Sequence, residues 1–316
     1  MNRRSFLGGA LAGTPALAAA GAASPRGDVP TRVFGKTGES LTVIGQAGGR
    51  FPLCTFDEAK SIVQRAYDLG INYFDNAHSY WGGRSEEVFG AVLPPVRKDV
   101  FITTKSTDRT RKGAEAELRL SLKRLKTDYV DLWQIHAVGE MDQVDQIFGP
   151  GGAIEAFEAA KKAGLCRFIG FTGHRDPNVH MAMLDRYDDY DTILMPLHPA
   201  DPSYLSFENM VLPEARKRGL GIQGMKSLAN AKLLQSLSVR QCIQYVLSLP
   251  IHCLAVGCTT IGQIEDDVRI AREFRQYDGK EMTAIRDRAK KLAGAGLEDW
   301  KRDLQQASNR PEYTGA

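Results

Sequence analysis

"TFDEAKSIVQRAYDLGINYF", residues 55 to 74, holds one complete helix–strand unit. Thr55 with Glu58 three residues later makes a capping box, apolar residues return at helical spacing, and Gly70 closes the helix. "INYF" then runs mainly apolar rather than alternating, as a strand covered on both faces does. The same unit recurs along the chain. A hairpin is expected in "RVFGKTGESLTVIG" (32–45), turned between Gly35 and Gly38. β-rich runs follow at 41 ("LTVIG"), 71 ("INYF"), 100 ("VFITT"), 129 ("YVDLWQI"), 167 ("RFIGF"), 192 ("TILM"), 221 ("GIQGM") and 253 ("CLAVG"). Each precedes an amphipathic helical stretch. Eight such units predict an α/β protein with the (β/α)8 TIM barrel fold. An open doubly wound sheet is the rival, but no G-x-G-x-x-G follows any strand. "KEMTAIRDRAKKLAG" (280–294) reads as an extra C-terminal helix on the surface.

Composition agrees with a globular enzyme-sized chain. Of 316 residues, 43% are hydrophobic and 25% charged, enough for a sizeable core. The net charge of +3 comes from 41 basic and 38 acidic residues without a long basic block, so no nucleic-acid partner is expected. The five cysteines (Cys54, Cys166, Cys242, Cys253, Cys258) form no C-x-x-C pair, which signals neither a disulfide framework nor a zinc site.

The first 24 residues, "MNRRSFLGGALAGTPALAAAGAAS", read differently from the rest. Paired Arg3 and Arg4 precede a short uncharged stretch that ends in small residues, the pattern of an export signal. It resembles a twin-arginine signal, which implies recognition by the export machinery and a mature chain in the periplasm. The stretch is too short and too rich in Gly, Thr and Pro for a membrane span, so no stable anchor is expected. Residues 1–24 are therefore read as signal and 31–316 as the barrel.

In a TIM barrel the chemistry sits at the C-terminal ends of the strands. Asp75 closes the second apolar run, Lys105 the third ("FITTKS") and His136 the fourth ("DLWQIH"), with Tyr80 in the loop after Asp75. Taken singly, each has an ordinary role as a cap, a loop charge, a packed histidine or a packed ring. Three consecutive strand ends carrying such side chains point instead to one shared site.

"INYFDNAHSYWGGRSEEVFG", "FITTKS" and "DLWQIH" resemble the corresponding segments of the aldo-keto reductases, in a divergent bacterial branch, over nearly the whole mature chain. The resemblance places the family's catalytic tetrad on Asp75, Tyr80, Lys105 and His136. It implies hydride transfer between NADP or NAD and a small-molecule carbonyl or alcohol, with the cofactor extended across the barrel mouth. Tyr80 is then the proton donor to the carbonyl oxygen. Lys105 is expected beside the phenol, lowering its pKa, with Asp75 holding the lysine and His136 orienting the carbonyl.

The cofactor positions implied by the resemblance are Gly48, Thr172, Met225, Lys226, Gly257, Thr259, Gln263 and Asp267. Several depart from the family pattern. The Ser-Asn pair after the fifth strand is Thr172-Gly173, the following glutamine position is Pro196, and the stacking tyrosine is Met225. The basic residues for a 2′-phosphate fall on Gly257 and Gln263, leaving Lys226 or Arg269 to supply charge. Thr259 and Thr260 precede a helix, a natural anion site, although an N-cap alone explains Thr260.

Two other readings compete. His78, His136, His174 and His198 fall in mouth loops and, with Asp75, Asp176 or Asp201, would make a metal-dependent lyase, isomerase or hydrolase site. That reading leaves Lys105 and Tyr80 unexplained. A catalytically idle binding barrel would explain the altered nicotinamide loops but not the complete tetrad.

Overall fold

The computed structural model describes residues 27–303. Ten strands and ten helices follow in order. The strands are β1 (Thr31–Val33), β2 (Ser40–Thr42), β3 (Ile44–Ala47), β4 (Tyr73–Asp75), β5 (Phe101–Ser106), β6 (Val130–Ile135), β7 (Cys166–Thr172), β8 (Thr192–Pro196), β9 (Gly221–Met225) and β10 (Cys253–Val256). The helices are α1 (Phe56–Asp68), α2 (Arg84–Val92), α3 (Arg111–Leu125), α4 (Met141–Phe148), α5 (Ala153–Lys162), α6 (Pro177–Arg186), α7 (Phe207–Lys217), α8 (Val239–Ser248), α9 (Ile261–Arg272) and α10 (Gly279–Lys290). Strands β3 to β10 pair in parallel and in chain order, and β10 closes on β3. This is the expected eight-stranded barrel.

The predicted capping box is present in α1: the Thr55 side chain accepts from Glu58 N–H, and Glu58 reaches back to the Thr55 backbone. Ala59, Ile62, Val63, Ala66 and Tyr67 turn inward, and Gly70 follows with φ of 99°. The helix ring and the outer strand faces thus share one large apolar core.

Three details differ from the sequence expectation. "LTVIG" is not one strand: β2 pairs antiparallel with β1, and the chain passes into β3 at Val43. Val43 N–H bonds to Pro30 O, while its carbonyl accepts from Leu254 of β10, so one residue serves hairpin and barrel. The hairpin turn contains a short 3-10 helix, Gly35–Thr37, rather than a tight turn. Two helices, not one, follow β6.

The hairpin seals the N-terminal end of the barrel. Phe34 is buried there against Phe101, edge to face with ring centroids 5.8 Å apart, and joins Leu41, Tyr73, Leu132 and Cys253 in a separate apolar plug. Above the plug the interior becomes polar. Gln134 Nε2 donates to Gln223 Oε1 at 2.9 Å, Gln223 donates to the Tyr73 hydroxyl, and Tyr73 donates to Asp75 at 3.2 Å. Asp75 is thereby held from below, leaving its other side for the mouth. The C-terminal helix is confirmed as α10, burying Met282, Ile285 and Ala289.

Candidate active site

Asp75 ends β4, Lys105 lies near the end of β5, and His136 directly follows β6. Parallel pairing in register sets Asp75 beside Thr103 and Lys105 beside Gln134, which brings the three strand ends to one side of the mouth. Tyr80 opens a short 3-10 helix after β4. Its geometry is strained: Trp81 has φ of 53° and Gly82 and Gly83 are also left-handed. Ala137, next to His136, has φ of 53° as well. A non-glycine residue in this region costs free energy, and such residues concentrate where a site fixes side-chain direction.

Lys105 and Asp75 are both buried. The ammonium donates to both carboxylate oxygens at 2.7 Å and to the Asn76 carbonyl, so its three N–H groups are all committed. Asp75 also accepts from the Thr103 hydroxyl at 2.9 Å. The lysine therefore has no proton left for the Tyr80 oxygen. Its Nζ lies 5.1 Å from the Tyr80 ring centroid, a cation–π arrangement in place of the expected phenol contact. The electrostatics follow this geometry. Burial and then the Asp75 charge push the Tyr80 phenol above its usual pKa, opposite to the expected lowering. Tyr80 rests as a neutral phenol. Lys105 itself is lowered by burial, against which Asp75 pulls upward.

The His136 ring meets Tyr80 edge to face, with centroids 5.5 Å apart. Burial, then the Lys105 charge, His174 and Arg109, hold its pKa well below the usual histidine value. It is a neutral imidazole, with Nδ1 3.5 Å from the Ser79 hydroxyl. The Arg109 guanidinium braces the backbone here, donating to the carbonyls of His136 at 2.8 Å and Ala137 at 3.2 Å. A neutral imidazole beside a neutral phenol suits the two hydrogen bonds that a carbonyl oxygen accepts.

The positions expected to hold the cofactor divide into two groups. Gly48 is buried against α2: a Cβ there would stand 2.1 Å from the Ser85 hydroxyl oxygen, so packing alone requires glycine. Its neighbours face the mouth instead. Gly49 lies beside the Tyr80 ring, where an added Cβ would touch at 3.4 Å. Arg50, not foreseen from the sequence, crosses to the loops after β9 and β10. Its Cγ would lie 2.7 Å from a Cβ on residue 257, so Gly257 makes room for it. Arg50 donates to Asn230 Oδ1 at 2.8 Å, and Lys226 approaches the same oxygen at 3.4 Å. Two cations on one neutral amide, with no carboxylate among the described residues bonded to either, make a corner suited to a phosphate. Lys226 and Asn230 both have positive φ, at 64° and 55°.

The predicted α9 corner is closed on itself. Gln263 Oε1 accepts from Thr259 N–H at 2.7 Å and from its hydroxyl at 3.1 Å, while Thr260 caps the helix through Gln263 N–H. Asp267 is buried against Cys258, whose thiol donates to it at 3.3 Å, and burial pushes its carboxyl up to about 6. Arg269, the other cation considered, pairs with Asp266 at 2.8 Å. At the nicotinamide end, Thr172 is buried at the end of β7 and Met225 is half-buried at the end of β9. Gly173 leaves no room for an amide side chain: a Cβ would stand 2.2 Å from the Val138 carbonyl and 2.7 Å from the His180 ring. The chain thus fits a dinucleotide at the phosphate end and departs from the family pattern at the carboxamide end.

The residues considered as metal ligands mostly have other partners. The His78 ring faces Ser121 and Arg124, Asp75 is committed to Lys105, and Asp176 caps α6 and pairs with Arg302. His198, Asp201 and Glu298 do bring three ligand atoms within 4.8 Å of one another. There the Lys301 ammonium stands, 2.7 Å from Asp201.

The chain is similar in sequence and in fold to known proteins. Residues 45–242 match the Aldo/keto reductase family. L-galactose dehydrogenase of Arabidopsis thaliana is 28% identical, the match covering 84% of this chain and 96% of that protein. The uncharacterized oxidoreductase YqkF of Bacillus subtilis is 38% identical over 135 residues, which span only 42% of its length. The holo form of aldo-keto reductase AKR11C1 from Bacillus halodurans superposes with a TM-score of 0.70 at 24% identity, covering 84% of this chain and 97% of that one. An aldo-keto reductase from Klebsiella pneumoniae in complex with NADPH shares the fold with a TM-score of 0.68 at 19% identity, covering 82% of this chain and 95% of that one. With the match spanning well over half its length, the chain belongs to the aldo/keto reductase family of NAD(P)-dependent oxidoreductases.

Proposed function

We propose that this protein reduces an aldehyde or ketone to the alcohol, with Tyr80 giving the proton, and that it does so outside the cytoplasm with a dinucleotide bound before export. The observation that carries the chemistry is the Lys105 ammonium, saturated by Asp75 and Asn76 and set under the ring of a neutral Tyr80. NADH or NADPH, when bound, would supply the hydride and stay in place in its oxidised form. The side chains do the rest. Neutral His136 and Tyr80 hold the carbonyl oxygen, and Tyr80 releases its proton as negative charge develops there. The Lys105 ammonium under the ring offsets part of the Asp75 charge that opposes the phenolate left behind. In the reverse direction the phenolate accepts the alcohol proton.

Export rests on the twin-arginine pattern at Arg3 and Arg4, which lies outside the described residues. A folded protein exported by that route can carry its cofactor, and no free nicotinamide pool awaits it. Turnover then requires oxidation of one substrate to regenerate the dinucleotide for reduction of another. The test is to isolate the mature protein from the periplasm, remove loose ligands by gel filtration, denature it and quantify dinucleotide. About one equivalent per chain, with activity on paired substrates and no added cofactor, is the expected result. A protein found in the cytoplasm, or empty in the periplasm and weak in rebinding, contradicts the proposal.

A further inference from the structure

After α10 the chain does not leave the barrel. Residues 294–303 turn back over the mouth, and Leu297, Glu298 and Lys301 are buried. The anchors follow the barrel strands in turn. Beyond β9, Asp299 pairs with Lys232 at 2.9 Å, and the Trp300 ring lies 5.3 Å from Lys226 Nζ. Beyond β8, Trp300 meets His198 edge to face at 5.8 Å, and Lys301 donates to Asp201 and to the Tyr204 carbonyl, both at 2.7 Å. The same ammonium pairs with Glu298, which lies 3.1 Å from His198. Beyond β7 and β6, Arg302 N–H bonds to the Arg175 carbonyl at 2.9 Å while its guanidinium pairs with Asp176 at 3.1 Å and Glu140 at 3.4 Å. One segment thus crosses the ends of four consecutive strands.

Such anchoring exceeds what a surface tail requires. Buried charges are costly to desolvate and persist only when closely paired, as Lys301 is with Asp201 and Glu298. What the lock positions is Trp300. Its indole N–H is buried with no acceptor among the described residues, and its ring covers Lys226, one of the two cations that meet at the phosphate corner. An unsatisfied buried donor is unfavourable until a partner arrives.

We propose that this C-terminal segment is part of the dinucleotide site, with Trp300 as a wall of the groove beside Lys226 and the Lys301 lock setting how slowly the dinucleotide leaves. The inference rests on the family's NAD(P) cofactor and adds residues to its site that lie on neither a barrel strand nor a strand-end loop.

The experiment measures release of NADPH from the full-length mature protein by stopped-flow, chasing with excess NADP, together with the indole fluorescence change on binding. Trp300→Ala and Lys301→Met should each speed release by roughly tenfold or more, the loss of about one anchoring contact. Trp300→Phe should keep slow release while losing most of the binding-linked change in indole fluorescence, with only a residual change from Trp81 and Trp133. Lys301→Met removes a buried cation and can impair folding, so half-buried Trp300 provides the decisive variant. Release at the wild-type rate from Trp300→Ala, with only a lowered melting temperature, would assign the segment to stability and overturn the proposal. An undiminished signal in Trp300→Phe would do the same. A wild-type protein that binds no dinucleotide would overturn this inference and the cofactor reading together.

Discussion

Arg50→Gln should weaken dinucleotide binding without touching the chemistry. Arg50 and Lys226 converge on Asn230 Oδ1 at 2.8 and 3.4 Å, and neither has a carboxylate hydrogen-bond partner among the described residues. Lys226 is half-buried and its pKa is lowered, first by burial and then by the charge of Arg50, so the two cations repel one another until an anion joins them. A hydrogen bond to a charged group contributes about 1.5–3 kcal/mol when well shielded. Arg50 is exposed, which brings the expected loss nearer 1 kcal/mol, or about fivefold in Kd. Gly257→Ala should act in the same direction, because its Cβ would stand 2.7 Å from Arg50 Cγ and displace that flexible side chain. Calorimetric titration with NAD, NADP and ADP-ribose at two salt concentrations is the assay. The loss should be similar for all three ligands if the corner receives the shared pyrophosphate, and smaller at high salt as screening removes the term. Unchanged affinity for every ligand in both variants would refute the reasoning. A loss confined to NADP would move Arg50 to the 2′-phosphate.

Two further predictions concern protons. With Tyr80 raised above its usual value of 10 and His136 held well below 6.5, kcat for carbonyl reduction should not bend in the neutral range, and the alkaline fall should belong to Lys105, whose pKa burial lowers from 10.5. A kcat profile that bends near pH 6.5 would assign the titration elsewhere. Asp267, pushed up to about 6, binds its proton more tightly in the folded chain than in the unfolded one. Its contribution is complete below about pH 4 and is lost as pH rises through 6, so Asp267→Asn should stabilise the protein at pH 7.5 by up to about 3 kcal/mol and change little near pH 4. Urea unfolding at both pH values checks this, and equal effects at the two would contradict it.

Much of the architecture was legible because barrel strands are covered on both sides and so write themselves as short apolar runs between capped helices. Asp75, Lys105 and His136 were legible for a related reason: each falls where such a run ends. What lay beyond the sequence was allocation. Lys105 looked available to the Tyr80 oxygen, but the fold spends its three protons on Asp75 and Asn76. Gly173 looked like a missing amide, whereas the Val138 carbonyl and the His180 ring fill the space. Arg50 carried no local signal, since its partners Asn230 and Gly257 are distant in the chain. Lys301 and Trp300 follow the last helix in a stretch without periodicity, where charge usually means solvent. The one sequence cue available there was a tryptophan next to a lysine in an otherwise polar tail.

The central claim is that Tyr80 acts only as the acid of the chemical step. Single-turnover hydride transfer from bound NADPH to an aldehyde, measured for wild type and Tyr80→Phe, tests it most directly. The variant should bind dinucleotide with near-wild-type affinity and lose at least about a hundredfold in the hydride-transfer rate, the lower end of what a positioned proton donor contributes. Hydride transfer at a near-wild-type rate in Tyr80→Phe would contradict it.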